Sequence, residues 1–531
     1  MTRRMRTAVV RMTSAMLVGV IGGCSTQSAA TSAPVPSPAN AATATVTAPT
    51  QGALPTATAT VAAVQPGSTT PTPDTLLQHF VDSLVSLPQF SSMHWGMLVV
   101  GAERGDTLVS VQPDRLVMPA SNMKLVTAAV ALAQLGPDFR WRTTITRTGP
   151  VVRCALRGNL VVEGRGDPSI SAAMRVDPLV AFAPVIAALK AAGVARIAGR
   201  LVSSDVPAFP GSPLGFGWDW DDLHEAYGAG VTELLFNEAY TDVRVTGCAR
   251  AGRAACVRTS PLAASPRLRV AVTVRAAGSG EPAIEWWRDS ARVPGIVVRG
   301  SIAAGDSTMF SVAHPDGRAV YLDALTDALR VAGIRVAGGS MRTAGIDTIV
   351  VLQSLPLRAV LGAMQKPSQN QIAEALFRTI ALERTGVGTP DSARAVVERQ
   401  LAAWGVRTDA HAIRDGSGLS RHDYLTPRAV VQVLDAMRRD SAFAAYRDAL
   451  PLAGVEGTLQ ARMQQIAMGR VRAKTGTIDK ARALSGYVTA ADGELLLFSI
   501  IANNQTTPNR EVDRIAELVV ERLVALRRLA P

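Results

Sequence analysis

Lysine is scarce in this chain of 531 residues, where five lysines stand against 50 arginines and charged residues make up only 18% of the sequence. Arginine effectively cannot lose its proton, whereas lysine can. Because the sequence uses arginine wherever positive charge alone is needed, its few lysines are candidates for proton chemistry. The net charge is +12, yet the basic residues form no stripe and no aromatic ladder, so we expect no nucleic-acid partner.

Cysteine and metal-binding patterns are also sparse. Four cysteines in so long a chain exclude a small disulfide scaffold. The six histidines form no HxxxH or HExxH pair, and no cysteine spacing suits a metal, so we expect neither a metal nor another cofactor. The chain has no Gly-x-Ser-x-Gly elbow, which argues against a conventional Ser-His-Asp hydrolase. With 47% apolar residues it is long enough to bury at least two cores.

No run at the N-terminus is long enough to span a bilayer as a helix. Residues 12–23 are small and apolar, about half the required length, and follow a basic segment, which predicts an export signal. The signal ends in Ile21-Gly22-Gly23-Cys24, which resembles the bacterial lipoprotein cleavage box and implies removal of residues 1–23 and acylation of Cys24. A chance cysteine after an ordinary signal is the alternative. We expect a periplasmic protein anchored to the membrane by its N-terminal lipid, with the outer membrane favoured over the inner one.

The segment after the signal, residues 24–73, is dominated by Ala, Thr, Pro and Ser. It cannot bury enough apolar surface to offset its ordering entropy, so it is predicted to be a disordered tether. In an oxidising compartment, Cys248 and Cys256 are candidates for a disulfide that staples a hairpin, and Cys154 is then left over.

The rest of the chain shows two kinds of sequence pattern. Residues 74–140 and 355–531 contain hairpins and helical stripes, including one apolar helical stripe over residues 511–530, which predicts one α+β domain whose sheet is shared by both ends of the chain. Residues 141–354 consist of short alternating runs between turns, which predicts a strand-rich insert. Within the insert, two helices end at Gly193 and Gly333 and lead into strands. We favour two ordinary αβ units, and two nested subdomains are the alternative.

The first candidate catalytic pair is Ser121 and Lys124, in a helix predicted to open at Pro119 and to run to Leu135. Three residues of spacing puts both side chains on one face, with the serine near the positive end of the helix dipole, where a developing alkoxide is favoured. A capping serine followed by a surface lysine is the alternative.

Two further motifs follow. Lys474-Thr475-Gly476-Thr477 lies in a strand predicted over 471–478. There the ammonium can hold a carboxylate, and the glycine lets a substrate backbone lie alongside. Ser368-Gln369-Asn370 precedes a helix that carries Glu374, and helix capping is its alternative role. Each tripeptide is weak alone, but all three in this order are rarely found by chance.

The order SxxK, SxN, KTG resembles the serine penicillin-recognising enzymes. The long insert and four further segments are similar to the D-alanyl-D-alanine carboxypeptidase/endopeptidase family, peptidase family S13 or class C low-molecular-weight penicillin-binding proteins. These segments are Gly166 to Ser169, Gly217 to Asp222, Phe236 to Glu238 and Asp415 to Arg421. The resemblance runs from Asp74 to the C-terminus. It implies an α+β transpeptidase domain, like that of penicillin-binding proteins and β-lactamases, with an antiparallel sheet, helices on both faces and a large strand-rich insert.

Together with the chemistry, the resemblance implies a role for each motif residue. Ser121 is expected to attack the carbonyl between two D-amino acids, and Lys124 to take its proton while neutral, with its pKa lowered by burial and by the Lys474 cation. Ser368 could pass that proton to the leaving amine, and Asn370 should orient Lys124 and the substrate amide.

The KTG strand is expected to bind the substrate. Lys474 and Thr475 would hold the terminal carboxylate beside Gly476, and the amides of Ser121 and Thr477 would form the oxyanion hole. Gln369 stands where the family often has Asp or Asn.

The function expected from these residues is a serine D-alanyl-D-alanine carboxypeptidase with possible endopeptidase activity. Its partners would be peptidoglycan peptides ending in D-Ala-D-Ala, with β-lactams as inhibitors. A β-lactamase-like hydrolase and a catalytically weak wall-binding lipoprotein are the alternatives. For residues 415–421 we favour a packing role over substrate contact.

Overall fold

The structure is a computed structural model that describes residues 72–260, 268–288, 295–343 and 345–528. The predicted signal, Cys24 and almost all of the predicted tether lie outside the described residues. In chain order the helices are α1 (Pro73–Val85), α2 (Met123–Leu135), α3 (Ala183–Ala191), α4 (Gly317–Val331), α5 (Leu357–Gln365), α6 (Asn370–Thr385), α7 (Pro390–Ala403), α8 (Pro427–Arg438), α9 (Phe443–Asp448) and α10 (Asn509–Val524).

The strands alternate with these helices. They are β1 (His94–Gly101), β2 (Thr107–Val111), β3 (Arg142–Arg147), β4 (Val151–Val152), β5 (Ala155–Leu156), β6 (Leu160–Glu163), β7 (Arg196–Ile197), β8 (Leu201–Ser203), β9 (Tyr240–Thr246), β10 (Cys256–Ser260), β11 (Leu268–Arg275), β12 (Ala283–Arg288), β13 (Ile296–Ala303), β14 (Ser307–Ala313), β15 (Arg335–Val336), β16 (Asp347–Gln353), β17 (His411–Ala412), β18 (Tyr424–Leu425), β19 (Val471–Ile478), β20 (Ala481–Thr489) and β21 (Leu495–Asn503).

Both ends of the chain form one antiparallel sheet in the order β19-β20-β21-β1-β2. Strands β20, β21 and β1 are buried along almost their whole length because helices cover both faces. Helices α2, α5, α6 and α8 pack on one face, and α1 and α10 pack on the other. The apolar stripe predicted for the last helix is present, although α10 ends at Val524 rather than near Ala530.

One arginine joins the two termini on this sheet. The Arg528 side chain is 4% exposed and pairs with Asp74, which lies 2.9 Å from its Nε, and with Asp106 and Glu494. Burying a charge is costly unless it is paired, so this cluster fixes the C-terminal segment against α1 and against the turns after β1 and β20.

Two hydrophobic cores are formed by described residues of the insert alone. The first lies between helices α3 and α4 and two four-stranded sheets, ordered β16-β3-β6-β8 and β15-β7-β5-β4. The two helix–glycine–strand units predicted from the sequence meet here. Gly193 and Gly333 both have positive φ, and the strands that follow them, β7 and β15, pair in parallel. The two units therefore belong to one layer.

The second core lies between the sheets β10-β9-β14 and β11-β13-β12. Cys248 and Cys256 are joined by a disulfide where the β9–β10 hairpin closes, and the thiol of Cys154 is free and exposed. No helix among the described residues has the length and apolarity needed to cross a membrane.

Candidate active site

Ser121 lies on a tight turn before a helix, which differs from the helix start expected from the sequence. Residues Ala120–Asn122 form a single 3-10 turn, and α2 begins at Met123. Ala120 has a φ of +46°, a left-handed conformation that is costly for a residue with a side chain. The turn leaves Ser121 partly exposed, while Lys124 is buried in the first turn of α2.

The sheet holds this turn in place. Met118 is clamped by Asn503 on β21, whose Oδ1 accepts from the Met118 amide at 2.7 Å and whose Nδ2 donates to the Met118 carbonyl at 3.1 Å. The side-chain amide of Asn122 donates through Nδ2 to the hydroxyl of Ser485 on β20 at 2.6 Å. These hydrogen bonds hold the backbone of the turn in its strained conformation.

Two glycines let other segments approach the same turn. A Cβ on Gly476 would lie 2.8 Å from the Pro119 carbonyl oxygen, and a Cβ on Gly418 would lie 1.8 Å from that of Ala120. The sequence analysis explained Gly476 by the passage of a substrate backbone. The structure gives it a different reason, which is the close approach of β19 to the turn carrying Ser121.

The amine of Lys124 is surrounded by three oxygens. Its Nζ lies 2.8 Å from Ser121 Oγ, 2.7 Å from Asn370 Oδ1 and 2.8 Å from the Ser417 carbonyl oxygen. The side chain is fully buried. Burial lowers the pKa of Lys124 to about 7, although the nearby charges of Asp415 and Glu374 act in the opposite direction.

The second lysine of the site is also buried. The Nζ of Lys474 donates to the carbonyl of Thr475 at 2.9 Å. Burial lowers the pKa of Lys474 well below its usual range, and the charge of Lys124 lowers it further. Two causes were predicted for the lowered pKa of Lys124, burial and the Lys474 cation, and burial is the larger cause in the structure.

The SxN motif closes the other side of the site. Ser368 has a φ of +67° and faces the cleft, and Asn370 is the first residue of α6. The helix cap, which was the alternative role for the motif, is provided by Gln369, whose Oε1 accepts from the Gln371 amide at 2.8 Å. Ser368 is therefore not used as the cap.

Residues 415–421 have two roles. Asp415 is buried and accepts backbone amides of its own loop, as the packing interpretation predicts. Gly418, Leu419 and Arg421 instead line the cleft. The Arg421 guanidinium donates to the Asp479 carbonyl at 3.0 Å and so connects this loop to the end of β19.

The sequence analysis gave no functional role to Glu374 or Thr458. The carboxylate of Glu374 accepts from the amides of Gly416 and Ser417 at 2.9 and 2.7 Å, and burial raises its pKa to about 8. An acid between the apolar pairs Ile372-Ala373 and Ala375-Leu376 was the available signal. The hydroxyl of Thr458 lies 2.8 Å from that of Thr475, and no motif signalled it because the contact joins separate segments.

The motif residues share a cleft of about 650 Å³. Ser121, Ser368, Asn370 and Thr477 line it, and the insert contributes a wall that contains Asp219, Asp221, Asp222 and Tyr227. No group of three or more His, Cys, Asp or Glu side chains in the described part of the chain is arranged to hold a metal ion.

Comparison with known proteins identifies the family. The model of the D-Ala-D-Ala carboxypeptidase 3 (S13) family matches residues 77–523. The chain belongs to this family. A D-alanyl-D-alanine carboxypeptidase of Actinomadura sp. (strain R39) is 32% identical over 474 residues, which are 85% of this chain and 84% of that protein. The D-alanyl-D-alanine carboxypeptidase DacB of Haemophilus influenzae is 26% identical, over 81% of this chain and 89% of the relative.

A solved structure has a similar fold. Penicillin binding protein 4 (dacB) from Haemophilus influenzae superposes with a TM-score of 0.69 at 24% identity, covering 83% of this chain and 97% of the other. This likeness confirms the α+β fold class predicted from the sequence. Membership of the S13 family confirms the predicted enzyme class, a D-alanyl-D-alanine carboxypeptidase.

The close approach of Gly418 to the Ala120 carbonyl generates a prediction about this glycine. Gly418→Ala should destabilise the protein by about 3 kcal/mol or more, because it adds a backbone collision to the strain of a left-handed residue. Gly405→Ala is the matched control, since Gly405 has a φ of +79° against +78° but open space around its Cα. Its cost should be about 1 kcal/mol. Urea denaturation of both variants measures the difference, and equal costs would contradict the proposed contact.

Proposed function

We propose that this S13 protein acts as a serine peptidase on peptidoglycan stem peptides ending in D-Ala-D-Ala, through an acyl-enzyme on Ser121, and that β-lactams inhibit it. The observation that carries the proposal is the 2.8 Å separation of Lys124 Nζ and Ser121 Oγ beside an open cleft. A relative of the same fold, penicillin binding protein 4 of Haemophilus influenzae, has been solved in complex with a β-lactam, which supports the inhibition.

The hydrogen-bond acceptors around Lys124 select its proton donor. A neutral amine has two N–H groups and one lone pair. Asn370 Oδ1 and the Ser417 carbonyl can only accept, so they take the two N–H groups. The lone pair is then left for the Ser121 hydroxyl, the one neighbour of the three that can donate. Lys124 is thus arranged as a general base for Ser121.

The reaction follows from this arrangement. Ser121 Oγ attacks the carbonyl carbon between the two D-alanines while its proton moves to Lys124 Nζ, and the backbone amides of Ser121 and Thr477 stabilise the oxyanion. The C–N bond then breaks, and the departing amine takes the proton through Ser368. Water attacks the acyl-enzyme, releases the shortened peptide and restores the Ser121 hydroxyl. When the leaving group is a crosslinked peptide, the same steps amount to endopeptidase cleavage.

The KTG strand is the proposed binding edge. Lys474 would bind a substrate carboxylate near Thr475. The nearby anion raises the pKa of the Lys474 amine, so the amine takes the ammonium form that attracts the carboxylate. The Thr477 hydroxyl accepts from Arg482, and Arg482 is paired with Asp513 on α10. This hydroxyl is therefore engaged within the protein, and the Thr477 contribution to the reaction is assigned to its amide.

Labelling with a fluorescent penicillin tests the nucleophile. The purified protein should be labelled covalently, and Ser121→Ala should abolish the label because no other hydroxyl is joined to Lys124 Nζ by a hydrogen bond. Mass spectrometry of muropeptides after incubation should show loss of terminal D-alanine or of crosslinks. An unchanged label on Ser121→Ala would reject the assignment. Labelling without change in the stem peptides would favour a wall-binding protein, and rapid release of the label would favour a β-lactamase.

The general base gives a pH dependence. Lys124 is active when neutral, and its pKa is about 7, so the acylation rate constant should be constant above this pH and fall as the pH drops below it. Well below the pKa of Lys124, the acylation rate constant should fall about tenfold for each pH unit. Stopped-flow acylation by the fluorescent penicillin measures the profile, and melting curves at each pH control for unfolding. A flat profile through the acidic range would exclude Lys124 as the base.

We also propose that the protein is exported and anchored in the outer membrane through acylated Cys24. The support is the basic and apolar leader that ends at Cys24 and the uncharged segment that follows. In cells fed a labelled palmitate analogue, the wild-type chain should be labelled and should partition into detergent. Cys24→Ser should lose both properties, whereas Cys154→Ser, the matched control, should keep them. Retention of label by Cys24→Ser would contradict the anchor.

A further inference from the structure

Residues of the insert hold in place two oxygens that accept hydrogen bonds from the Lys124 amine. Among the described residues, Lys124 Nζ has two hydrogen-bond partners besides Ser121, the Asn370 side-chain amide and the Ser417 carbonyl. Neither acceptor is rigid by itself, since the amide of Asn370 can turn over and Ser417 lies in a loop. Both are held by groups in residues 215–229 of the insert, whose sequence is remote from the SxxK, SxN and KTG motifs.

The orientation of the Asn370 amide is set by Tyr227. Asn370 Nδ2 donates to the Tyr227 carbonyl at 2.9 Å, which leaves Oδ1 facing Lys124. The opposite orientation would direct an N–H group at Lys124 and compete with the Ser121 hydroxyl for its lone pair. Gln371 fixes the segment, because its side-chain amide donates to the carbonyls of Ala226, Tyr227 and Ala229 at 3.0 to 3.1 Å.

The position of the Ser417 carbonyl is set through Asp415. Oδ1 of Asp415 accepts from the amides of Ser417 and Gly418 at 3.1 and 2.7 Å, and Oδ2 accepts from the amide of Ser420 at 2.8 Å. The fourth donor is the indole Nε1 of Trp218, at 2.9 Å and 197 residues away in sequence. Four N–H donors suit an ionised carboxylate, and the insert supplies one of them.

Two glycines that come just before Trp218 in the chain permit this contact. A Cβ on Gly215 would lie 2.2 Å from Trp218 Nε1, and a Cβ on Gly217 would lie 2.3 Å from Cδ2 of His422. The ring of Phe216 packs against that of His422 with centroids 5.3 Å apart. The segment is therefore fitted to the end of the loop that contains Asp415 and Ser417.

We propose that Trp218, acting through Asp415, and the backbone of Tyr227 are positioning groups for the reaction, so that the insert completes the arrangement that aims Lys124 at Ser121. The inference rests on the proposed acylation of Ser121. It assigns to residues 215–229 a part in the rate of acylation that is separate from any contact with substrate.

Substitution of Trp218 tests the inference. Trp218→Phe keeps an aromatic ring and removes the N–H group, so the saturating rate of acylation by a fluorescent penicillin should fall about tenfold or more, with little change in the concentration giving half the maximal rate. Trp218→His is the rescue variant, because Nε2 of histidine occupies the same ring position as Nε1 of tryptophan, and it should acylate faster than Trp218→Phe. Trp287→Phe, elsewhere in the insert, is the matched control and should acylate as wild type.

The carboxylate provides a second readout that a loss of packing would not give. The ionisable groups around Lys124 are Asp415, Glu374 and Lys474, and the buried carboxyl of Asp423 lies against that of Asp415. Because the Asp415 charge raises the pKa of Lys124, Asp415→Asn should move the acidic limb of the acylation profile to lower pH while lowering the plateau. Trp218→Phe, which removes no charge, should lower the plateau and leave the limb in place. The double variant should be no slower than Asp415→Asn alone, since both changes act through one carboxylate.

The inference would be overturned if Trp218→Phe acylated at the wild-type rate, or if the loss of rate in the double variant were the combined loss of the two single variants. Either result would leave the assignment of Ser121 as the nucleophile intact. Labelling of Ser121→Ala would instead overturn the proposed function. If Trp218→Phe melts below the assay temperature, the plateau of Asp415→Asn decides, because Asp415 holds the loop that carries the Ser417 carbonyl, and an unchanged plateau overturns the inference.

Discussion

The amine of Lys124 is withdrawn from water and surrounded by oxygens alone, and the rest of the catalytic arrangement depends on that burial. Burial favours the neutral amine, since a desolvated ammonium is costly. Neutrality gives the amine a lone pair, and two acceptors that cannot donate direct that lone pair at Ser121. The three contacts come from three separate stretches of chain, so the base exists only when the domain is folded.

Close backbone packing is the second requirement. The turn that carries Ser121 contains a left-handed Ala120 and is enclosed by Gly418 on one side and Gly476 on another. Asn503 clamps the residues before it. Such a turn stores strain that its neighbours must compensate, which explains why two glycines lie against it. The KTG glycine thus serves the internal geometry of the site.

Much of the site was predictable because its chemistry restricts residue types. A nucleophile and a base three residues apart, a Ser-x-Asn and a Lys-Thr-Gly are short local patterns, and the structure brings Ser121, Lys124, Ser368 and Asn370 to one cleft. Glu374, Thr458 and Trp218 were not predictable in their roles. Each acts through hydrogen bonds to another segment, and a single polar residue in a buried helix or a glycine-rich loop has no distinctive spacing.

The sequence by itself determined the antiparallel sheet built from both ends of the chain, the apolar stripe of the last helix and the family, because periodicity and motif order are properties of neighbouring residues. Contacts between distant segments settled which group caps α6, which turn lies against Gly476 and which oxygens surround the Lys124 amine. These depend on burial and on contacts between residues up to several hundred positions apart, as with the 197 residues between Trp218 and Asp415. Such contacts arise from packing, and no local pattern encodes them.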